Sequence, residues 1–331
     1  MPELRQNLAT KEWVVIATER AVRPEAIREQ QPKPAPLPER EPSCPFCPGN
    51  EKMSETISVQ GDPGRWRLRV VKNQFPFFVS GAPRLPEGRS KLYSRLPAEG
   101  VQEIVVESPA HDKSLAELPR EQVRGVIVAY QERFRAVSDD LKVSLTMLFK
   151  NHGAGAGTSL GHPHSQIIGS SVVPAHIRHR MDDAEKYFKQ NNECVICRMV
   201  EEEKAQGERI IVESPYFNAF VLFAALSPFH IWIVPKRHNA NFGDITAAEA
   251  EDLSGVLQTV LLKIFRGLGD PAYNFVLQSN PQDRGTTEAF HWYLSLVVRL
   301  GKATGFEMGS GMYINNVVPE ESARFLNSIK A

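Results

Sequence analysis

The sequence predicts an α+β fold built from two tandem copies of one unit, residues 1–173 and 174–331. Each half contains a Cys-x-x-Cys pair, strand patterns, a histidine, a helix pattern, a further strand, a polar loop and a second histidine on a strand. The two histidines lie 51 residues apart in the first half and 53 apart in the second. One order of features repeated at a matching spacing indicates an internal duplication.

In the first half, alternating apolar and polar residues predict strands, and one apolar stripe predicts a helix. The helix pattern starts near Leu118, has a proline in its first turn and repeats apolar residues at spacings of three and four between Val123 and Phe134. A proline-rich stretch, 28–48, is expected to run extended over the surface without regular structure. The predicted strands are 11–16, 66–71, 100–107, 143–149 and 164–173.

The second half repeats these patterns after a charged amphipathic helix that is predicted over 174–190. A longer helix is predicted over 246–265, where apolar residues between Leu253 and Leu261 form one stripe. The predicted strands lie around Ile210, around Phe220, and at 231–238, 273–277 and 290–296.

Composition excludes several classes of partner. The chain has 331 residues, with 39 Lys plus Arg balanced by 39 Asp plus Glu, so no net field favours nucleic acid or a membrane surface. No run of 18 apolar residues occurs, and the first five residues lack an apolar signal core. We therefore expect a cytoplasmic protein whose binding of any anion is local.

The four cysteines form two Cys-x-x-Cys pairs, a spacing typical of metal ligands or a redox dithiol rather than of structural disulfides in a cytosolic chain. Superposing the halves adds two histidines to each pair, which gives each half the ligands of a tetrahedral zinc site. Four protein ligands leave no position for water, so two structural zinc ions per chain are expected. The alternative is a reduced, unligated pair in either half. The two sets are Cys44, Cys47, His111 and His162, and Cys194, Cys197, His238 and His291.

His164 has no counterpart in the second half, where Tyr293 stands in its place. It follows the glycine-rich run 151–160, whose backbone amides suit the close approach of an anion. A neutral imidazole held there can attack phosphorus, while Gln166 and Ser159 donate hydrogen bonds to phosphate oxygens. This hypothesis predicts nucleotidyl transfer without a catalytic metal. The alternative is a glycine-rich turn before a strand with one buried histidine.

Three motifs in this order closely resemble the galactose-1-phosphate uridylyltransferase branch of the histidine-triad superfamily: the segment 44–51, the glycine loop after Asn151, and the segment 162–166. The resemblance covers nearly the whole chain. It implies two histidine-triad-like repeats that form one mostly antiparallel sheet flanked by helices, in a homodimer. It also implies a ping-pong reaction, in which a nucleoside diphosphate sugar gives its nucleotidyl group to His164 and a sugar 1-phosphate then collects it.

The resemblance also implies roles for single residues of this sequence. It assigns a first zinc ion to Cys44, Cys47, His111 and His162. It places Pro45, Phe46, Asn73 and Phe75 around the nucleoside, and Arg20, Arg23, Asn151, Ser159 and Gln166 near the phosphates. The glycine-rich segment around Glu307 resembles the one that reaches the sugar, in the family often from the neighbouring subunit.

The sequence departs from the well-known bacterial enzymes at two places. They carry glycine where Ser165 stands, and their second metal is held by a glutamate and histidines rather than by Cys194, Cys197, His238 and His291. The second Cys/His pattern and the segment 306–315 look more like the branch that contains plant ADP-glucose phosphorylase. Base and acceptor therefore stay open.

Three functions remain after this comparison of motifs. The leading hypothesis is uridylyl transfer between UDP-glucose and galactose 1-phosphate. The second is a nucleotidyltransferase or phosphorylase that uses ADP-glucose, with phosphate as acceptor. The third is a zinc-stabilised nucleotide-binding module without turnover, against which His164 and Gln166 argue.

Overall fold

A computed structural model describes residues 1–20, 24–30, 36–62, 64–86, 92–282 and 287–331, with Arg20 and Gln30 described by their backbones alone. Thirteen strands lie within these residues. They are β1 (Glu3–Gln6), β2 (Trp13–Ile16), β3 (Thr56–Asp62), β4 (Arg65–Lys72), β5 (Gly100–Val106), β6 (Leu145–His152), β7 (His164–Ser170), β8 (Ile210–Glu213), β9 (Phe217–Val221), β10 (Ile231–Pro235), β11 (Tyr273–Gln278), β12 (Tyr293–Val298) and β13 (Tyr313–Asn315).

Seven α-helices lie in the same described ranges. They are α1 (Pro24–Gln30), α2 (Arg120–Ser138), α3 (Ala175–Asn191), α4 (Val195–Gln206), α5 (Ala247–Leu268), α6 (Gly305–Ser310) and α7 (Pro319–Ser328). No described helix combines the length and the apolar composition that crossing a bilayer requires.

Ten strands form one sheet in the order β3-β4-β5-β7-β6-β11-β12-β10-β9-β8. Reading outward from the centre, β6-β7-β5-β4-β3 on one side matches β11-β12-β10-β9-β8 on the other. The equivalent strands β6 and β11 pair antiparallel at the centre, as do the other neighbouring strands of the sheet. The predicted fold class, with duplicated units and one mostly antiparallel sheet, is confirmed.

The two long helices α2 and α5 belong to equivalent positions in the repeats, between the third and fourth strands of each unit. Their apolar stripes are buried in one cluster of core residues that spans both repeats, including Val126 and Phe134 of α2 and Leu257 and Leu261 of α5. The helix α5 begins with a capping box, in which the Thr246 hydroxyl accepts from the N–H of Glu249, three residues further along the chain. Packing on both repeats therefore ties them into one core.

At four segments the structure differs from the predictions or contains an element that the sequence analysis does not predict. The last predicted strand starts at Tyr293, not at 290, because the N–H of Trp292 donates to the carbonyl of Asn239 (2.9 Å) rather than to a strand. Helix α1 occupies the beginning of the proline-rich stretch, since Pro24 fits the first turn of a helix. Helix α4 begins directly after Cys194, in a segment for which the sequence analysis predicts no element. The glycine-rich segment near Glu307 forms the short helix α6.

Candidate active site

His164 is the first residue of β7, which lies between β5 and β6 in the sheet. It pairs with Val106 of β5, and two residues on Gln166 pairs with Ile104 of β5 and Phe149 of β6. Because side chains alternate along a strand, His164 and Gln166 lie on the same face of the sheet. The opposite face, which carries Ser165, is turned to the helices.

The tautomer of His164 follows from its one backbone contact. Nδ1 lies 2.8 Å from the carbonyl oxygen of His162. A carbonyl oxygen only accepts, so Nδ1 carries the proton and Nε2 carries the lone pair. Burial lowers the pKa of His164, which keeps the ring neutral. The ring of Phe46 lies 5.4 Å from that of His164 and limits its orientation. His164 is thus held as a neutral imidazole with a nucleophilic Nε2.

A buried polar cluster lies on the helix side of this strand. Lys150 Nζ lies 2.7 Å from Glu107 Oε2 and donates to the carbonyl oxygen of His164 at 3.2 Å. The hydroxyls of Tyr130 and Ser165 donate to Glu107 Oε1 at 2.9 and 2.5 Å. All four side chains are buried almost completely. The cluster therefore fixes the peptide that carries His164 from behind.

Sequence reasoning missed this cluster apart from noting Ser165. A signal was available, because Glu107 and Lys150 are opposite charges at the ends of two apolar strand patterns. A charged residue at a core position of a strand needs a partner in the interior. Burial first, and then the charge of Glu107, raises the pKa of Tyr130, so this phenol remains a donor.

The first Cys/His set meets in space as predicted. Its four ligand atoms lie within 4.8 Å of one another, and all four residues are buried. Cys47 Sγ lies 3.3 Å from His111 Nδ1 and 3.6 Å from His162 Nδ1, and Cys44 Sγ lies 3.7 Å from His162 Nδ1. A tetrahedral zinc ion with ordinary Zn–S and Zn–N bonds separates sulfur and nitrogen ligands by about 3.6 Å. The residues present therefore fit a zinc ion.

A hydrogen bond to a backbone carbonyl determines which nitrogen of His162 is available as a metal ligand. His162 Nε2 donates to the carbonyl oxygen of Ser108 at 2.8 Å, which leaves Nδ1 unprotonated and turned to the cysteines. Burial lowers the pKa of His162 to about 4, so the ring is neutral near pH 7. The carbonyl of the same residue accepts from His164 Nδ1, which links the metal set to His164 through one backbone unit.

The second set also meets, at the matching place in the second repeat. Cys197 Sγ lies 3.3 Å from His238 Nδ1 and 3.4 Å from His291 Nδ1, again the edges of a zinc tetrahedron. Hydrogen bonds from Cys197 and then His238 lower the pKa of Cys194 to about 5, so its sulfur is a thiolate at neutral pH. His238 Nε2 donates to the carbonyl of Thr287 at 3.1 Å, although this histidine is exposed.

The glycine loop leaves β6 directly after His152. Gly153 has a φ of 78° and Gly157 one of 85°, which L side chains rarely adopt. At Gly153 a Cβ would also lie 3.0 Å from the Cβ of Ala272, so only glycine fits the close approach to the second repeat. His152 is held by Asp270, 2.8 Å from Nε2 to Oδ1, and stacks on Tyr273.

Comparison with known proteins identifies the family. A family model described as the galactose-1-phosphate uridyl transferase N-terminal domain matches residues 1–174, and the model of the C-terminal domain matches residues 180–326. The chain belongs to the galactose-1-phosphate uridyl transferase family. This membership confirms the expected family and an enzyme of the nucleotidyltransferase type.

Relatives with different names cover almost the whole chain. An ADP-glucose phosphorylase of Arabidopsis thaliana is 34% identical over 99% of this chain and 93% of its own length. A galactose-1-phosphate uridylyltransferase of Thermotoga maritima is 27% identical over 98% of both. The crystal structure of the Arabidopsis ADP-glucose phosphorylase with bound ADP-glucose has a TM-score of 0.82, at 30% identity, and covers 100% of this chain and 99% of that chain.

Within this uridyl transferase fold, the predicted nucleoside residues stand in two groups. Phe46 is buried, and its ring lies 6.0 Å from that of His162 as well as against His164; Pro45 beside it is half-buried. Asn73 Oδ1 accepts from the N–H of Phe75 at 2.9 Å, and the Phe75 ring is 86% exposed. The structure therefore brings Phe46 to His164 and leaves the ring of Phe75 free of the core.

The remaining predicted residues lie in or beside the glycine loop, or elsewhere in the chain. Asn151 is the second-last residue of β6 and lies on the His164 face, and Ser159 is exposed in the loop. Glu307 is used locally, because its carboxylate accepts from the N–H of Thr304 (2.8 Å) at the start of α6. Arg23 lies outside the described residues, and Arg20 is described only as the last residue of a 3-10 turn. The roles of these residues stay predictions.

Proposed function

We propose that the chain transfers a nucleotidyl group from a nucleoside diphosphate sugar through a covalent intermediate on His164. The observation that carries the proposal is the bond from His164 Nδ1 to the carbonyl of His162, which leaves Nε2 unprotonated, with its lone pair available to attack phosphorus. Membership in the uridyl transferase family supports the same chemistry.

The reaction divides into two displacements at one phosphorus. The Nε2 lone pair attacks the α-phosphorus, the bond to the bridging oxygen breaks, and the sugar 1-phosphate leaves with that electron pair. An oxygen of the acceptor then attacks the same phosphorus, and the N–P bond breaks to return a neutral imidazole. The nucleotidyl imidazole ring carries a positive charge, and the carbonyl oxygen of His162 stabilises this charge by accepting the hydrogen bond from Nδ1. The amide of Gln166 donates to a phosphate oxygen in both steps.

Zinc is the metal that we propose for both Cys/His sets, because two sulfur and two nitrogen ligands at tetrahedral spacing suit it. Cys44, Cys47, His111 and His162 would hold the first ion. Four protein ligands leave no place for substrate or water, so each ion supplies folding energy rather than catalysis. The first ion also steadies the backbone of His162, to which His164 is bonded.

UDP-glucose with galactose 1-phosphate as acceptor is the first substrate pair that we propose. The uridyl transferase models, which match both halves of the chain, and the Thermotoga relative support it. ADP-glucose with phosphate as acceptor is the second candidate. The identity of 34% and the TM-score of 0.82 to the Arabidopsis phosphorylase favour it.

We also propose a homodimer in which a second copy completes the sugar pocket. Large apolar side chains stand exposed near the predicted nucleoside segment and on α6, including Phe75, Phe77 and Met308. Their burial against a second copy would remove apolar surface from water. Light scattering after size-exclusion chromatography tests this assembly, and a monomer at working concentration contradicts it.

The decisive experiment mixes the chain with UDP-glucose or ADP-glucose labelled in the nucleotide, without acceptor. Covalent transfer predicts release of about one glucose 1-phosphate and gain of one acid-labile nucleotide per active site. Galactose 1-phosphate and phosphate are then added in turn to the labelled protein, and the one that discharges it identifies the acceptor. No release of sugar 1-phosphate from either donor would refute the covalent mechanism.

A further inference from the structure

Four side-chain amides form a row on the His164 face of the sheet. Gln102 belongs to β5, Gln166 to β7, Asn151 to β6 and Asn274 to β11. Gln102 is diagonal to Gln166 across β5 and β7, and Asn274 stands directly opposite Asn151 across β11 and β6. The outer two amides thus flank the inner two: Gln166 is two residues from His164 along β7, and Asn151 is on the neighbouring strand β6.

The orientation of Gln102 is set by a backbone group. Its Oε1 lies 3.0 Å from the N–H of Phe77, which can only donate. Its Nε2 therefore points the other way, and it donates to Gln166 Oε1 at 3.0 Å. The oxygen of Gln166 is thereby turned to Gln102, and its NH2 group is turned away from it.

The orientation of Asn274 is set by a backbone carbonyl, whereas that of Gln102 is set by a backbone N–H. Its Nδ2 lies 3.0 Å from the carbonyl oxygen of Ala156 in the glycine loop, which can only accept. The same Nδ2 donates to Asn151 Oδ1 at 2.8 Å. The oxygen of Asn151 therefore accepts from Asn274 of the second repeat, and the NH2 group of Asn151 is turned away from Asn274.

We infer that Gln102 and Asn274 are positioning residues, which turn Gln166 and Asn151 so that both present N–H donors to the transferred phosphate. This inference rests on the proposed function. Phosphate oxygens only accept, and a rotated amide would set its own oxygen against them. Fixing both amides before substrate arrives avoids reorganisation during the reaction. The second repeat, through Asn274, then takes part in the chemistry of the first.

The second repeat carries different residues at the positions that correspond to Gln102 and Gln166. Gln166 faces Ile104, and its counterpart Ser295 faces Trp232, so Gln102 corresponds to His230. His230 Nε2 lies 2.9 Å from the Ser295 hydroxyl, and His230 is buried. The pair of positions is kept and hydrogen-bonded in both repeats, but only the first repeat uses amides there.

The test begins with Gln102→Glu and Asn274→Asp, which keep size but replace the donating NH2 by an acceptor. Each carboxylate then draws the NH2 of its inner amide toward itself and turns the amide oxygen to the phosphate. We expect the single-turnover release of glucose 1-phosphate to slow by about 100-fold or more, the usual cost of one lost oxyanion donor. Unfolding temperatures measured in parallel separate this effect from loss of fold.

A double-mutant comparison distinguishes positioning from structural damage. In a Gln166→Ala background, adding Gln102→Glu should change the rate by less than about twofold, because the amide that residue 102 orients is absent. Adding Asn274→Asp to the same background should keep its full effect, which makes it the matched control. Equal losses from Gln102→Glu with and without Gln166, or a loss below threefold in the wild-type background, overturns the inference.

Binding measurements keep this test separate from the proposed reaction. Calorimetric affinities for UDP-glucose and ADP-glucose are determined for the same variants. If the wild-type chain releases no sugar 1-phosphate, the covalent mechanism fails, and the coupling of Gln102 to Gln166 in affinity alone decides the inference. Coupling above tenfold supports oriented amides, and independent effects on affinity contradict them.

Discussion

The two repeats share one order of strands but bury different groups behind the strand that follows the second histidine. The registers of both can be matched at one position. Gln166 lies between Ile104 and Phe149, and Ser295 lies between Trp232 and Val276. Counting along the strands from these residues, Glu107, Lys150 and Ser165 correspond to Pro235, Leu277 and Leu294.

A charged cluster in one repeat is therefore an apolar core in the other. Burying an ion pair costs desolvation that its attraction often fails to repay, whereas leucines stabilise without that cost. The second repeat also fills the space that corresponds to the active site, because Trp232 and Tyr293 stack there with ring centroids 3.9 Å apart. The comparison indicates that the first repeat gives up stability for the placement of His164, and the second supplies it.

The largest effect expected from breaking this comparison is at the nucleophile. His164→Gly should lower steady-state turnover by more than about 10⁴-fold, beyond the range for losing a general acid or base. Added imidazole should restore part of the rate by occupying the vacated space. Tyr293→Phe, at the counterpart position, removes only the bond from Arg180 (3.0 Å) and should leave turnover unchanged. A His164→Gly chain within tenfold of wild type would rule out the nucleophile.

The second-largest effect is expected from removing one cysteine from either metal set, and its size in turnover should differ between the two repeats. Cys44→Ser and Cys194→Ser are each expected to lower bound zinc from about two ions to about one per chain, measured by elemental analysis. Both should lower the unfolding temperature. Cys44→Ser should also reduce turnover by about 100-fold, because His162 carries the carbonyl that orients His164. Equal turnover in the two variants would contradict the special role of the first metal set. Fewer than two zinc ions per wild-type chain would contradict the assignment of two zinc sites.

The buried ion pair should respond as a pair. Lys150→Met leaves Glu107 charged and unpaired, so the free energy of unfolding should fall by about 3–5 kcal/mol. Leu277→Met, the same change of size at the counterpart position, should cost less than about 1.5 kcal/mol. Adding Glu107→Gln to Lys150→Met should recover much of the stability but not the turnover. Denaturant titrations test this, and equal costs at both positions would contradict it.

The smallest expected effect is at the one place where the second repeat is predicted to touch the sugar. Glu307 caps a short exposed helix, so Glu307→Ala should leave the unfolding temperature almost unchanged. We expect it to slow the acceptor step several-fold while leaving nucleotide affinity unchanged. Calorimetry with UMP or AMP, beside acceptor kinetics, measures both. An equal loss in nucleotide affinity assigns Glu307 to a different role.

Much of the framework is legible in the sequence because it depends on local patterns. Apolar stripes predict α2 and α5, and the repeated Cys and His spacing predicts both metal sets, which the structure brings together. Strand β3 and helix α4 are not predicted, since the residues of β3 are mostly exposed and the first turn of α4 overlaps a metal-ligand motif. Local pattern is weak in both segments.

The contacts that orient the site depend on strand order, which no local pattern supplies. Lys150 and Glu107 are 43 residues apart, and Asn151 and Asn274 are 123 apart. They meet only because β7 inserts between β5 and β6, and because β6 pairs with β11. Residue identity alone could show that a buried charge needs a partner, but the choice of partner follows from the sheet.

The pairing of β6 with β11, which joins the repeats, also determines how many edge strands the large sheet has. Two separate sheets would have four edges, each able to recruit strands from other molecules. The joined sheet has two, β3 and β8, and both are interrupted by shifts of register, which bend an edge and hinder such recruitment. The pairing of β6 with β11 has no such shift. A chain cut between its halves would therefore uncover two regular edges, and aggregation is the outcome to expect from either half on its own.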